Sequence, residues 1–416
     1  MLRIDEIRRQ FPALQRQING NAVIHADNPG GTQVPQAVVD AMSNYLLHRN
    51  ANVHGEFLTS QLTDETVEAA RGAMADLLNA PSPREIVFGN NMTTLTFQLR
   101  HMLARDWTAG DEVVVTTLDH DANYTPWLTL AEVGAVVHEV PLAADGATLD
   151  LATLDDLLNP RTKLVALGHA SNAVGTLNPL DEIIPRVRER SPEALIFVDA
   201  VQSVPHVPVD VQALGCDILV CSAYKFFGPH VGVMWGRADV LDRLPPYKVR
   251  PAGADAPDKF ETGTKNHEGL AGVAAAVDYL AALAAPHAER RARLRESMAL
   301  IRDHEQRLSA QLIAGLTAIP TLAFYGIRDV ERVDERVPTV AINLRGWHPQ
   351  ALAAALTDEG IFCWSGHYYA LNLIEALGLA PDGALRIGLA HYNTAGEVAR
   401  IVDVLKREAL KRDTRA

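Results

Sequence analysis

The sequence is short of several things, and each shortage argues against a class of protein. Only three cysteines occur, Cys216, Cys221 and Cys363, with neither a paired framework nor metal-ligand spacing. That speaks against a disulfide-stapled or metal-stapled fold, and a reduced cytoplasmic compartment is expected. Positive charge is also scarce: 38 Lys and Arg stand against 51 Asp and Glu, for a net charge of -13. No nucleic-acid and no membrane partner is therefore expected. The balance says little about a small anionic substrate, because local fields decide that. No apolar stretch is long and charge-free enough to span a bilayer, and Met1–Glu6 opens no apolar signal core. There is no internal repeat and no low-complexity tract. The turn Gly89-Asn90-Asn91-Met92-Thr93-Thr94 lacks the Gly-x-Gly-x-x-Gly of a nicotinamide dehydrogenase.

What is present is a large apolar core and a regular alternation. The chain has 416 residues, 48% of them hydrophobic, which is enough for two domains. Short β-branched runs at 85–88, 112–115, 135–140, 163–167, 194–198 and 217–221 are separated by helical patterns. Continuous apolar runs of this kind predict an α/β fold, with a mostly parallel sheet covered on both faces. A ligand then belongs at the carboxyl ends of the strands. After Asn266 the pattern changes to a small-residue helix, a long charged helix over about 288–316, and an α+β remainder. The expected division is a large unit over 15–285 and a smaller one from 1–14 and 286–416.

Lys225 is the residue that points to chemistry. It follows the buried run Asp217–Cys221 in Ser222-Ala223-Tyr224-Lys225, at the mouth of a strand. A lysine there is costly to bury unless its amine has a task. The preceding strand ends in Asp199, with Gln202 three residues on. An acid at one strand end and a lysine at a later one fit pyridoxal phosphate (PLP): the lysine as Schiff-base former, the acid as partner of the pyridine nitrogen.

Other residues admit two readings each. Thr93 and Thr94 open a helix, either as part of a plain cap or as a phosphate site, to which Ser222 adds a hydroxyl. His120 ends a strand and is either a surface histidine among acids or a ring stacked on the cofactor. Asn172 is either a turn former or a polar contact to cofactor or substrate. Arg386 interrupts an apolar strand and needs an anion, either an internal acid or an amino-acid carboxylate.

Taken in order along nearly the whole chain, these segments resemble class V aminotransferase-fold enzymes, and most closely the cysteine desulfurase/selenocysteine lyase branch. The matching stretches are Ile24–Thr32, Asn50–His54, Asp119–Asn123 with Pro126-Trp127, Ser171-Asn172, Gly175-Thr176, Asp199–Gln202, Ser222–Lys225 and Phe260–Asn266. The resemblance implies PLP fold type I and a homodimer. It implies that Asp199 pairs the pyridinium, Gln202 and Asn172 meet the ring oxygen side, and His120 stacks. It further implies that Thr93, Thr94, Ser222 and a partner subunit's Thr264 hold the phosphate. Arg386 then clamps the substrate carboxylate, with Asn28 and His54 on the substrate side.

The departures from that branch matter as much. Tyr369 stands where the branch carries its sulfur-accepting cysteine, in Gly366-His367-Tyr368-Tyr369-Ala370. A phenol does not accept sulfur as a thiolate does. Cys363, six residues earlier, reads as a packed thiol. Tyr224 replaces a histidine before the lysine, where it keeps a hydroxyl for the phosphate, and Gly55 stands where an arginine is common. His367 and Tyr369 are expected to act as acids or to close the pocket. The expected activity is a PLP enzyme acting at Cβ of an L-amino acid, a C–S-type lyase without a persulfide. An aminotransferase or an epimerase is the alternative of the same fold, and a non-catalytic PLP-binding protein the alternative of another class.

Overall fold

The computed structural model describes residues 2–286 and 289–413. After a short N-terminal helix, Ile4–Arg9, chain order brings two longer helices, α1 (Gln36–His48) and α2 (Leu58–Leu78), then strand β1 (Ile86–Gly89) and helix α3 (Met92–Leu103). Strands β2 (Glu112–Thr116), β3 (Val136–Val140) and β4 (Thr162–Gly168) follow, then helix α4 (Leu180–Arg190) and strands β5 (Leu195–Asp199), β6 (Ile218–Ser222) and β7 (Gly232–Gly236). These seven strands form one sheet in the order β1-β7-β6-β5-β4-β2-β3. Only β7 runs antiparallel to its neighbours. The expected parallel sheet is thus present, with one strand, β7, that the sequence pattern did not announce.

Both faces of this sheet are dry. Val114, Val165, Ile196, Val198 and Leu219 face one cluster, and Val113, Val115, Ala166, Phe197 and Val220 face another. Alternate residues of one strand feed opposite cores, as the two-residue period of a strand requires. That is why these strands read as unbroken apolar runs.

Helix α5 (His267–Ala281) packs on α1 and α2. Helix α6 (Arg290–Thr317) is the expected long charged helix, whose anticipated start at 288 lies outside the described residues. Four strands then build a second sheet: β8 (Leu322–Tyr325), β9 (Thr339–Leu344), β10 (Trp364–Gly366) and β11 (Ala384–Gly388), in the order β8-β9-β11-β10. Helices α7 (Pro349–Asp358) and α8 (Ala395–Asp413) complete it. One face of this sheet, bearing Val340, Ile342, Leu385 and Ile387, packs with Leu308, Leu312, Leu352, Leu356 and Leu405 of the helices. The other face carries Ala341, Ala384 and Arg386, and its alanines join a core shared with the large sheet.

The N-terminal segment does not sit on the small sheet alone. Ile7, Phe11 and Leu14 join the core of the large unit, and Phe11 packs edge-on against Phe227, Tyr279 and Tyr392. Ile24–His25 pairs instead with Ile361–Phe362 of the small unit. The chain therefore crosses between the units twice before residue 30.

A buried ion pair fixes the entry to the site. Arg71 of α2 donates to Glu261 at 2.8 and 2.6 Å and to the Ile86 carbonyl at 2.6 Å. Glu261 also accepts from the Phe88 amide at 2.8 Å. The pair thus holds β1 just before its Gly89 turn. Removing one partner strips the other of its closest counter-charge, leaving Glu261 with only Lys265 at 3.1 Å, or Arg71 with the more distant Glu68 and Asp258. Arg71→Met is expected to cost about 3–5 kcal/mol, read as a fall in the urea midpoint, with a parallel loss for Glu261→Leu rather than an additive one.

Candidate active site

The strand ends deliver the reactive groups to one edge of the large sheet. Asp199 is the last residue of β5, and Lys225 follows β6 in a single 3-10 turn, Ala223–Lys225. Both are buried. The Lys225 amine donates to the carbonyls of Pro29 at 2.5 Å and Gly30 at 3.0 Å, and lies 4.5 Å from the centre of the Tyr224 ring. Burial first, then the charge of Arg386, lowers its pKa to about 7. Asp199 accepts from the Val201 amide at 2.9 Å. Burial raises it to about 6 against that hydrogen bond and the charge of Lys225. Gln202 donates to the same Pro29 carbonyl at 2.9 Å.

His120 follows β2. Its Nδ1 accepts from the Ala122 amide at 3.0 Å, which leaves the ring proton on Nε2. Burial, followed by the charges of Lys225 and Arg386, lowers its pKa to about 4, so the ring is neutral at physiological pH. Asp119 beside it is buried, accepting from Thr116 at 2.6 Å and Asn123 at 2.9 Å. Burial and the charge of Asp199 push Asp119 up to about 7 against those bonds. Trp127 donates to Asn123 at 3.0 Å and so backs the same loop. Asp119 was not singled out from the sequence, although it adjoins His120.

The phosphate-side residues meet where β1, β7 and β6 lie side by side. Gly232 pairs with Gly89 on one side and Ser222 on the other. A Cβ on Gly232 would lie 2.4 Å from the Asn91 carbonyl carbon, so only glycine lets the turn fold over it. Asn91 caps α3 in a capping box with Thr94, and Ser222 Oγ accepts from the Met92 amide at 3.1 Å. Thr94 thereby uses its hydroxyl on Asn91, while Thr93 is half-buried at the second helical position. Thr264 lines a cavity of about 270 Å³ together with Gly89, Asn90, Thr94 and Gln98 of its own chain. Tyr224 is half-buried and stacks on His230 at 4.8 Å.

On the opposite side, Arg386 is buried in β11 and donates to Asp27 at 2.8 Å and to the Asn172 carbonyl at 3.0 Å. The internal-acid reading of this arginine therefore holds, with Asp27 as the acid. Its Nε remains without a protein partner. Asn172 donates its amide to the Tyr368 carbonyl at 2.7 Å, which leaves its buried Oδ1 as an unpaired acceptor. Gly30 makes this arrangement possible: a Cβ there would lie 2.3 Å from Asp27 Oδ2.

Three expected substrate contacts fall elsewhere. Asn28 is buried with its amide on the carbonyls of His25 and Gly388 and its oxygen taken by the Tyr392 hydroxyl. Its polar atoms are used in joining the units, so it is a structural residue. His54 is exposed in a left-handed conformation at φ 66, its ring 3.2 Å from Asp64. His367 is exposed and accepts from the Tyr369 amide at 3.1 Å.

Tyr369 does come to the site, but not as an isolated phenol. Its ring stacks on His120 with centroids 5.5 Å apart and planes at 23°. Its carbonyl accepts from the Asp121 amide at 2.6 Å. Tyr368 and Tyr369 are both left-handed, at φ 52 and 57. The anchors at Asn172 and Asp121 hold both of these strained residues. None of the three cysteines is exposed. Burial, then the charge of Asp27, raises Cys363 to about 12, and it packs against the small-unit core. Burial also raises Cys216 to about 12 and pushes Cys221 up.

Comparison with known proteins agrees with this geometry. The aminotransferase class-V family matches residues 24–401. A probable cysteine desulfurase of Vibrio cholerae serotype O1 is 33% identical over 423 residues, covering 98% of each chain. A cysteine desulfurase of Pectobacterium atrosepticum is 34% identical over 420 residues, covering 97% of each. Among solved structures, the apo cysteine desulfurase of Thermococcus onnurineus superposes with a TM-score of 0.87 at 28% identity over 99% of both chains. The S-sulfonic acid form of an Escherichia coli cysteine desulfurase gives 0.84 at 28% identity, with the same coverage.

The lowered lysine makes a pH prediction. Its folded pKa of about 7 lies below the ordinary 10.5, so the neutral, nucleophilic amine is already dominant above neutrality. When PLP is added to cofactor-free protein, the visible band should form faster as pH rises toward about 7 and then level off. Lys225→Ala should show no band and no borohydride-fixed cofactor. A rate that climbs far beyond neutrality would count against the lowered amine.

Proposed function

Because the chain belongs to the aminotransferase class-V family and is a PLP-dependent enzyme of fold type I, we propose that it acts on an L-amino acid by α-proton removal and loss of a sulfur substituent from Cβ, without a protein persulfide. The observation that carries the second half is the Tyr369 ring stacked on His120, together with three cysteines of which two are buried and one is half-buried. The relatives named as desulfurases need a sulfur acceptor of some kind. Here the loop beside the site offers a phenol, and Cys363, six residues earlier, is half-buried with its thiol held protonated.

The residues present suit the cofactor. Asp199, buried and beside Lys225, has the charge a pyridinium nitrogen requires, and the unpaired Oδ1 of Asn172 awaits a donor. The α3 N-terminus, Thr93, Ser222 and Tyr224 offer amide and hydroxyl groups to a phosphate. PLP, when bound, supplies the electron sink that makes the α-proton of an amino acid acidic.

The rest is done by the chain. The carbonyls of Pro29 and Gly30 aim the Lys225 amine, and burial keeps it a base near pH 7, able to take a proton from the substrate Cα. Asp27 holds Arg386 in one orientation while its remaining N–H groups stay available to a carboxylate. His120, neutral and braced by Tyr369, supplies a flat apolar face. The site is also proposed to lie in a homodimer in which Thr264 serves the neighbouring phosphate. The exposed Leu46, Leu47, Phe57 and Leu58 provide an apolar surface for that contact.

A panel of amino acids with leaving groups at Cβ is the test. Pyruvate and ammonia should appear in equal amounts, and cysteine should leave no persulfide on the protein. Cys363→Ala should keep the activity within about twofold, since exchanges at packed positions away from the chemistry act mainly on stability. Tyr369→Phe should also retain it, whereas Tyr369→Ala should lower kcat about tenfold or more by freeing the His120 ring. A persulfide lost in Cys363→Ala would sink the proposal.

A further inference from the structure

The edge strand β10 puts an indole where the site can use it. Trp364 is the direct antiparallel partner of Arg386. Both side chains therefore leave the sheet on the same side, with Cβ atoms about 5 Å apart. That side is the one on which Ala341 and Ala384 join the core shared with the large sheet. The opposite side, with Leu385 and Ile387, is filled by helices α6, α7 and α8. Trp364 thus faces the interior between the units, yet it is 59% exposed. Tyr369 at 66% and Leu371 at 44%, in the segment that follows β10, are exposed as well. An indole beside a carboxylate-binding guanidinium, on the inward face and uncovered, is a subsite in want of an apolar occupant.

We propose that Trp364 binds an apolar or aromatic substituent carried on the substrate sulfur, so that the substrate class is an L-cysteine thioether. This rests on the lyase reading above and adds which sulfur compound the site selects. The chemistry balances with water as the sole co-reactant. The α-proton passes to Lys225 Nζ, and the C–H electron pair becomes the Cα–Cβ double bond. The Cβ–S bond breaks with its electrons on sulfur, and the thiolate takes a proton to leave as a free thiol. Water then hydrolyses the three-carbon remainder to pyruvate and ammonium. The indole adds no charge to the site, so it selects for the body of the substituent and not for a second acid.

The test uses two amino acids that carry no leaving group and so report binding alone. L-Homophenylalanine is the carbon isostere of S-phenylcysteine, and L-2-aminobutyrate has the same amino-acid head without the ring. Their dissociation constants are measured by calorimetry on the cofactor-loaded protein. Homophenylalanine should bind about tenfold or more tightly than aminobutyrate, the scale expected for covering an aromatic ring. In Trp364→Ala that ratio should fall toward one while the aminobutyrate constant stays within about twofold, and Trp364→Phe should restore most of it. A ratio near one in the unaltered protein, or one that survives Trp364→Ala, overturns the subsite; a second copy of the chain seated on the indole would give the former. Absence of binding by either amino acid, with the visible band intact, would remove the amino-acid reading as well.

Discussion

The site depends on one turn, Asp27 to Thr32, and on where its backbone oxygens point. Pro29 and Gly30 offer carbonyls to Lys225, and Pro29 shares its oxygen with Gln202. Thr32 donates its amide and hydroxyl to the Tyr224 carbonyl, and Asp27 holds Arg386. One short stretch thus ties the lysine, the glutamine and the arginine to a common frame. A carbonyl is a weak acceptor beside a carboxylate, and that suits the task. It orients an amine without locking it in a charged state.

The second constraint is dryness. Burial is the largest influence on Lys225, His120, Asp199 and Asp119, and in each case it favours the neutral form. The site is therefore a set of groups poised close to their own proton-transfer points. Asp119 and Asp199 illustrate the coupling: Asp119 follows β2 and Asp199 ends β5, on either side of β4, and the charge of Asp199 raises Asp119. Two such carboxylates resist ionising together. A cationic ligand next to Asp199 would relieve the desolvation cost on that side and leave Asp119 as the proton holder.

Much of this was legible in the residues. The strand ends at Asp199, Ser222 and Gly89 were visible as unbroken apolar runs, because both faces of the sheet are buried. Lys225 stood out because a lysine at such an end needs a reason. What escaped was set by long-range pairing. Strand β7 was overlooked because Gly232–Gly236 carries glycine at both ends and follows directly on the turn after Lys225, with no α-helix between it and β6. Asn28 looked like a substrate contact, yet Tyr392, far along the chain, takes its oxygen. Asp27 was part of a recognised stretch without a role until Arg386 was placed beside it. Trp364 had no local signal at all: its meaning comes only from the register that sets it across from Arg386.

The Asp27–Arg386 contact joins positions 359 residues apart. During synthesis the N-terminal turn leaves the ribosome early, while its partner strand emerges near the end. Long-range contacts of this kind form only after the loop between them has been closed. The large sheet can assemble as its strands appear, but the lysine's surroundings stay open until β11 is delivered. The cofactor pocket is thus completed only when β11 is in place, and a chain without it would carry the reactive lysine without the arginine that completes its site.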